Sequence, residues 1–73
     1  MNATKEGIVP AVGQLWMDLD KRMNGRIRKI VAILSDERVL MDEPYADFLN
    51  KFNPTRVSVK RMHKSSTGWK LVS

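Results

Sequence analysis

The chain has 73 residues, is 42% apolar, lacks cysteine and carries a formal net charge of +5. That length holds one domain, which buries only about 60% of the surface its unfolded form exposes and has little room for an enclosed catalytic cleft. The missing cysteine excludes disulfides and thiolate zinc sites. The longest apolar run, Ile30 to Leu34, is five residues against the roughly 20 needed to cross a bilayer, so the expected setting is a reducing cytoplasm with no membrane association.

Residues 1–10 read as a flexible N-terminal tail. They show no apolar period, end at Pro10, and lack the basic-then-apolar layout of a secretion signal. Ile8 and Val9 form an apolar pair within it that could dock on the domain or on a partner, which makes both candidate partner-binding residues. Residues 11–73 form a single small β-rich domain. Its first predicted strand is Gly13 to Asp18, with Leu15 and Met17 on one face and Gln14 and Trp16 on the other. Asn24-Gly25 marks a turn. Arg26 to Leu34 is a strand rich in β-formers whose second half is apolar on both faces, as in a central strand. Ser35-Asp36 turns the chain, and Arg38 to Met41 returns as a short strand.

A helix is predicted over residues 43–51, with Asp42 as N-cap, Pro44 in the first turn and Asn53-Pro54 as the stop. Tyr45, Phe48, Leu49 and Phe52 fall at i, i+3, i+4 and i+7, which predicts one apolar stripe facing the core. Thr55 to Met62 alternates, placing Val57 and Val59 on one face and Arg56, Ser58 and Lys60 on the other. Lys64 to Gly68 is a turn, and Trp69 to Val72 closes the chain as a strand. The expected fold class is α+β: a small bent antiparallel sheet or open barrel of four to five short strands with one helix.

Charge is segregated along this order. Every side-chain carboxylate lies at or before Asp47, whereas Lys51, Arg56, Lys60, Arg61, Lys64 and Lys70 follow without an acid among the remaining residues. Such segregation presents a field that recruits partners of opposite sign. Arg56, Lys60, Arg61, Lys64 and Lys70 are therefore candidate partner-binding residues, with solubilisation of a small protein as the competing explanation. Nothing points to catalysis. The lone histidine, His63, has no nucleophile or carboxylate near it in sequence and reads as a loop residue. Asp18-Leu19-Asp20 opens like a calcium loop, but Met23 and Lys29 occupy the positions that need glycine and glutamate. No metal, cofactor or enzyme activity is expected. Among the aromatics, Phe48, Phe52 and Trp69 are expected in the core, and the pattern leaves the exposure of Trp16 open.

The ends of the domain carry a family pattern. Gly13-Gln14-Leu15-Trp16, then Asp18-Leu19-Asp20, Arg22 and Gly25-Arg26, with Arg56 to Met62 and Ser66-Thr67-Gly68-Trp69-Lys70-Leu71-Val72, resemble small phage and bacterial proteins reading Gly-Gln-x-Trp near the start and Thr-Gly-aromatic-x-Leu-Val near the end. The 42–53 segment departs from that pattern. The resemblance implies a small β-rich fold and a phage setting, and carries no activity. In length, basic charge and lack of cysteine the chain is also similar to the small RNA polymerase-binding transcription regulators of lytic xanthomonad phages. This implies a monomer in the cytoplasm of an infected bacterial host that binds polymerase subunits, with RNA or DNA nearby, inhibits initiation at host promoters and promotes antitermination. The alternative read from the residues is a nucleic-acid-binding small barrel module.

Overall fold

The alternating segments assemble, in a computed structural model that describes residues 3–73, into five antiparallel strands: β1 (Leu15–Asp18), β2 (Ile27–Ile33), β3 (Arg38–Asp42), β4 (Thr55–Ser58) and β5 (Trp69–Leu71). Their spatial order is β4-β3-β2-β1-β5, a curled half-barrel whose two edge strands are β4 and β5. One short helix, α1 (Ala46–Leu49), lies between β3 and β4. The expected α+β class and strand count are those found.

The apolar residues of β2 explain both its central place and the curl. Ile30 pairs with Met41 and Ala32 with Leu40, so Val31 is an extra residue on the β2 side. Such a bulge bends its strand and increases the local twist. It also reconciles the two-faced apolar run with one core: Ile30 is fully buried, while Ile33, beyond the bulge, is exposed. At the turn between β1 and β2, Asn24 and Gly25 both adopt positive φ, which these two residue types tolerate best.

The concave face is filled by Trp16, Ile30, Val39, Met41, Val57, Val59, Met62 and Trp69. The β1 pleat predicted two faces, and the structure decides between them: Trp16 is fully buried, and Leu15 and Met17 lie half-buried on the other side. The Trp16 indole N–H donates to Gln14 Oε1 at 3.1 Å, so the ring is buried with its polar atom satisfied. The same carboxamide accepts from the Ala11 amide and donates to the Val9 carbonyl. The Gly-Gln-x-Trp run therefore ties residues 9–11 to the core. The Thr-Gly-Trp run meets it across the sheet, where Asp18 pairs with Trp69 and Trp16 with Leu71. A Cβ at Gly68 would collide with the His63 backbone carbonyl, so the turn into β5 requires glycine. The motif residues at the two ends thus carry structure.

Two sequence expectations need correction. The helix is one turn, not residues 43–51. Asp42 ends β3 instead of capping α1, and the N-cap position is held by Tyr45, which makes no side-chain cap bond. The Tyr45, Phe48, Leu49 and Phe52 stripe is not core: these residues are 70%, 87%, 55% and 61% exposed, and Ala46 is the buried residue of α1. A stripe at i to i+7 needs two helical turns, and Phe52 lies three residues past the end of this helix. The concave face is already occupied by the tryptophans and methionines, so no apolar layer remains to receive the helix.

Candidate anion-binding seam

The half-barrel does not close, and a hollow of about 380 Å³ lies between its edges. Thr55, Arg56, Val57 and Ser58 of β4 line one side; Asp18, Asp20, Arg26 and Trp69 line the other, with Arg38 and Arg61 also contributing. The acids here are already engaged. Asp18 Oδ2 accepts from Arg26 Nε at 3.0 Å, and the Arg26 guanidinium stands 6.0 Å from the Trp69 ring centroid, a cation–π contact. Asp20 accepts a two-pronged bond from Arg22, 3.1 Å from Nε and 2.8 Å from Nη2, and a third bond from the Arg22 amide. The Arg22 hydrogen bonds hold the Asp20 carboxyl down at about 2, with the Arg61 charge adding a smaller pull.

Arg38, Arg56 and Arg61 are different. All three are exposed, and among the described residues none of their guanidinium groups has a hydrogen-bond or ion-pair partner. Their planar forks present parallel N–H pairs that match carboxylate or phosphate oxygens, and like charges gathered at one hollow are relieved by such an anion. The arrangement can hold an anion. It holds no nucleophile with a base: the His63 side chain makes no hydrogen bond among the described residues, and no three His, Asp or Glu side chains there are placed to bind a metal ion. No helix is long and apolar enough to cross a membrane.

The structure divides the candidates read from the sequence. Arg56 and Arg61 line the seam. Lys60 does not share a strand face with Arg56 as expected, because β4 stops at Ser58 and residues 59–61 turn as a 3₁₀ helix. That turn buries Val59 in the core and sends Lys60 to a separate hollow that Lys5, Asp36 and Glu37 also line. Lys64 is exposed in the turn before β5, and Lys70 is exposed opposite Met17 on the convex face. Ile8 is half-buried against the core cluster and Val9 is exposed. In the same N-terminal segment Thr4 is buried and exchanges bonds with Ile8: its amide donates to the Ile8 carbonyl and its hydroxyl accepts from the Ile8 amide.

Sequence reasoning missed Arg26 and Arg38. Arg38 lies in a stretch dominated by acids, and register alone brings it opposite Ser58, two pairs from Leu40 and Arg56 along the ladder. No protein-family model matches the chain, and no curated protein or solved structure shows significant similarity to it.

Proposed function

We propose that the protein is a non-catalytic transcription regulator that binds bacterial RNA polymerase by seating an anionic surface of the enzyme in the arginine seam. The observation that carries the binding role is the convergence of three unpaired arginines on one hollow whose carboxylates are already matched. The polymerase assignment rests on the resemblance to phage regulators in length and charge. Regulation would follow from occupancy: a bound 73-residue domain blocks a site needed for initiation or stands where RNA emerges. Recognition of this kind draws its encounter rate from charge and its residence time from apolar anchors.

A second reading, a single-strand-binding barrel, draws on the same arginines, which suit phosphodiesters equally well. Its weakness is the burial of both tryptophans, which leaves no exposed aromatic ring in the seam on which a base could stack. Nuclease-treated polymerase and the full chain separate the readings. Arg56→Glu/Arg61→Glu should fold normally, since exposed charges contribute little to stability, and should slow association about tenfold or more at low salt. A charge-reversed variant that associates at the parental rate would remove the seam from the interface. Failure of the parent to bind polymerase, together with tight and steeply salt-dependent binding to single-stranded RNA, would replace the first reading with the second.

A further inference from the structure

The arginine seam offers more than charge, because one of its walls is an open sheet edge. The Val59 amide donates to the Glu37 carbonyl at 2.8 Å, and this bond sets the alternation along the β3–β4 ladder. Thr55 and Val57 turn their backbone groups to Met41 and Val39, whereas Arg56 and Ser58 turn theirs away from the sheet, into the hollow. Among the described residues nothing hydrogen-bonds to the Arg56 or Ser58 amide or carbonyl from that side. The facing edge is less open. The bond from the Val72 amide to the Leu15 carbonyl turns Trp69 and Leu71 outward there, and the Trp69 amide already donates to the His63 carbonyl at 2.9 Å. The border at which a further strand can be added is therefore β4.

Charge selects which strand. Val57 faces the core, so the side chains of Arg56 and Ser58 leave the sheet on its other face, and Arg38, paired with Ser58, shares that face. Arg61 follows at the end of the 3₁₀ turn. The guanidinium groups of these three arginines are unpaired among the described residues. The nearby acids do not offset them: Asp18 and Asp20 are matched by Arg26 and Arg22, and Asp36 and Glu37 line the other hollow with Lys5 and Lys60. A second copy of the chain offering its own β4 would oppose like charges, and Pro54 and the four-residue length of the strand guard the edge further against such pairing. We propose that β4 accepts an extended acidic segment of a protein partner as a sixth strand, its main chain bonding to Arg56 and Ser58 and its alternate Asp or Glu side chains meeting Arg56, Arg38 and Arg61. Nucleic acid could meet the arginines but has no repeating amide and carbonyl to complete the ladder, so the open edge favours a peptide.

The proposal rests on the seam as the binding site, and Ser58→Pro separates the two. Ser58 has φ −74°, which proline adopts without strain, and its amide points away from β3, so the substitution removes one edge donor and neither a ladder bond nor a charge. The full chain carrying it should melt with the parent, associate with purified bacterial RNA polymerase at the parental rate and bind it about tenfold more weakly, because the added strand loses a bond. Ser58→Ala, which keeps the amide, should bind as the parent does. In the isotope-labelled parent the acetylated peptide Thr-Glu-Val-Glu-Val-Glu-Thr, at about 1 mM, should shift the Arg56 and Ser58 amides and give NOEs from them to peptide α-protons; Thr-Lys-Val-Lys-Val-Lys-Thr should not. Parental affinity of Ser58→Pro for polymerase, alongside a loss in Arg56→Glu/Arg61→Glu, overturns strand addition and leaves the seam binding by charge alone. The peptide decides by itself if Ser58→Pro fails to fold, or if the parent does not bind polymerase, which ends that function. Shifts and NOEs at β4 with the acidic peptide then support the sixth strand; no shift at Arg56 and Ser58, equal shifts with both peptides, or binding of single-stranded RNA in place of the peptide overturns it.

Discussion

The two tryptophans and the three aromatics of the 43–54 excursion are similar side chains in opposite environments. Trp16 and Trp69 sit on paired strands whose pleat directs both rings into the concave face, where Met41, Met62 and Ile30 meet them. Tyr45, Phe48 and Phe52 sit on a one-turn helix and its exit, over a sheet whose interior is already full. The strands have a second layer made by the sheet's own curvature. The helix has none. An aromatic residue in a small protein is therefore a core residue only where the topology supplies something to cover it.

The contrast breaks most readily by truncating one member of each group. Trp16→Ala should cost about 3–5 kcal/mol, a large part of the stability of a domain this size, and is expected to leave the chain largely unfolded in a urea titration. Phe48→Ala should cost under about 0.5 kcal/mol in the same titration, since it removes an exposed side chain. A large loss at Phe48 would mean that the excursion folds back on the sheet. The base of the excursion comes next. Arg28→Met keeps the buried bulk and removes the bonds to Glu43, Asn53 and Thr55, at about 2–3 kcal/mol. Amide exchange at Asn53 should accelerate more than exchange in β1, and equal acceleration at both would show that Arg28 supports the whole sheet and not this segment in particular.

The N-terminal segment sharpens the comparison from the other side, because Ile8 touches the core and Val9 does not. Removing residues 1–9 should cost about 1–2 kcal/mol, from the half-buried Ile8 and the contacts of Thr4, and lower the melting temperature by several degrees. An unchanged melting temperature would return the segment to the status of a tail. The smallest effect belongs to the seam's rim. Asp20 titrates at about 2 instead of its ordinary 3.8 because Arg22 bonds its charged form. With the folded-state value depressed, its contribution to stability is complete above about pH 4 and fades as pH falls toward 2. Carboxyl NMR should place the midpoint near 2 in the parent and move it back toward the ordinary value in Arg22→Ala; a midpoint that stays low would assign the effect to Arg61 or the backbone.

The amino-acid sequence by itself determined the class of the fold and most of its strands. Alternation marked β1 and β4, the β-branched run marked β2, and Asn24-Gly25 fixed a turn, all through interactions between near neighbours in the chain. It also determined that the C-terminal half is basic, which led to Arg56 and Arg61. Tertiary structure alone decided the rest. The bulge at Val31 bends the central strand, and the assembled sheet, not the β1 pattern, decided that Trp16 faces inward while Leu15 and Met17 do not. The 3₁₀ turn at residues 59–61 separated Lys60 from Arg56, and strand register brought in Arg38 from an acidic stretch. The fate of the Tyr45–Phe52 stripe was decided in the same way. A 3.6-residue period states which side chains could share a face, whereas burial depends on whether a second surface lies opposite, and that surface is built from residues far away in the chain.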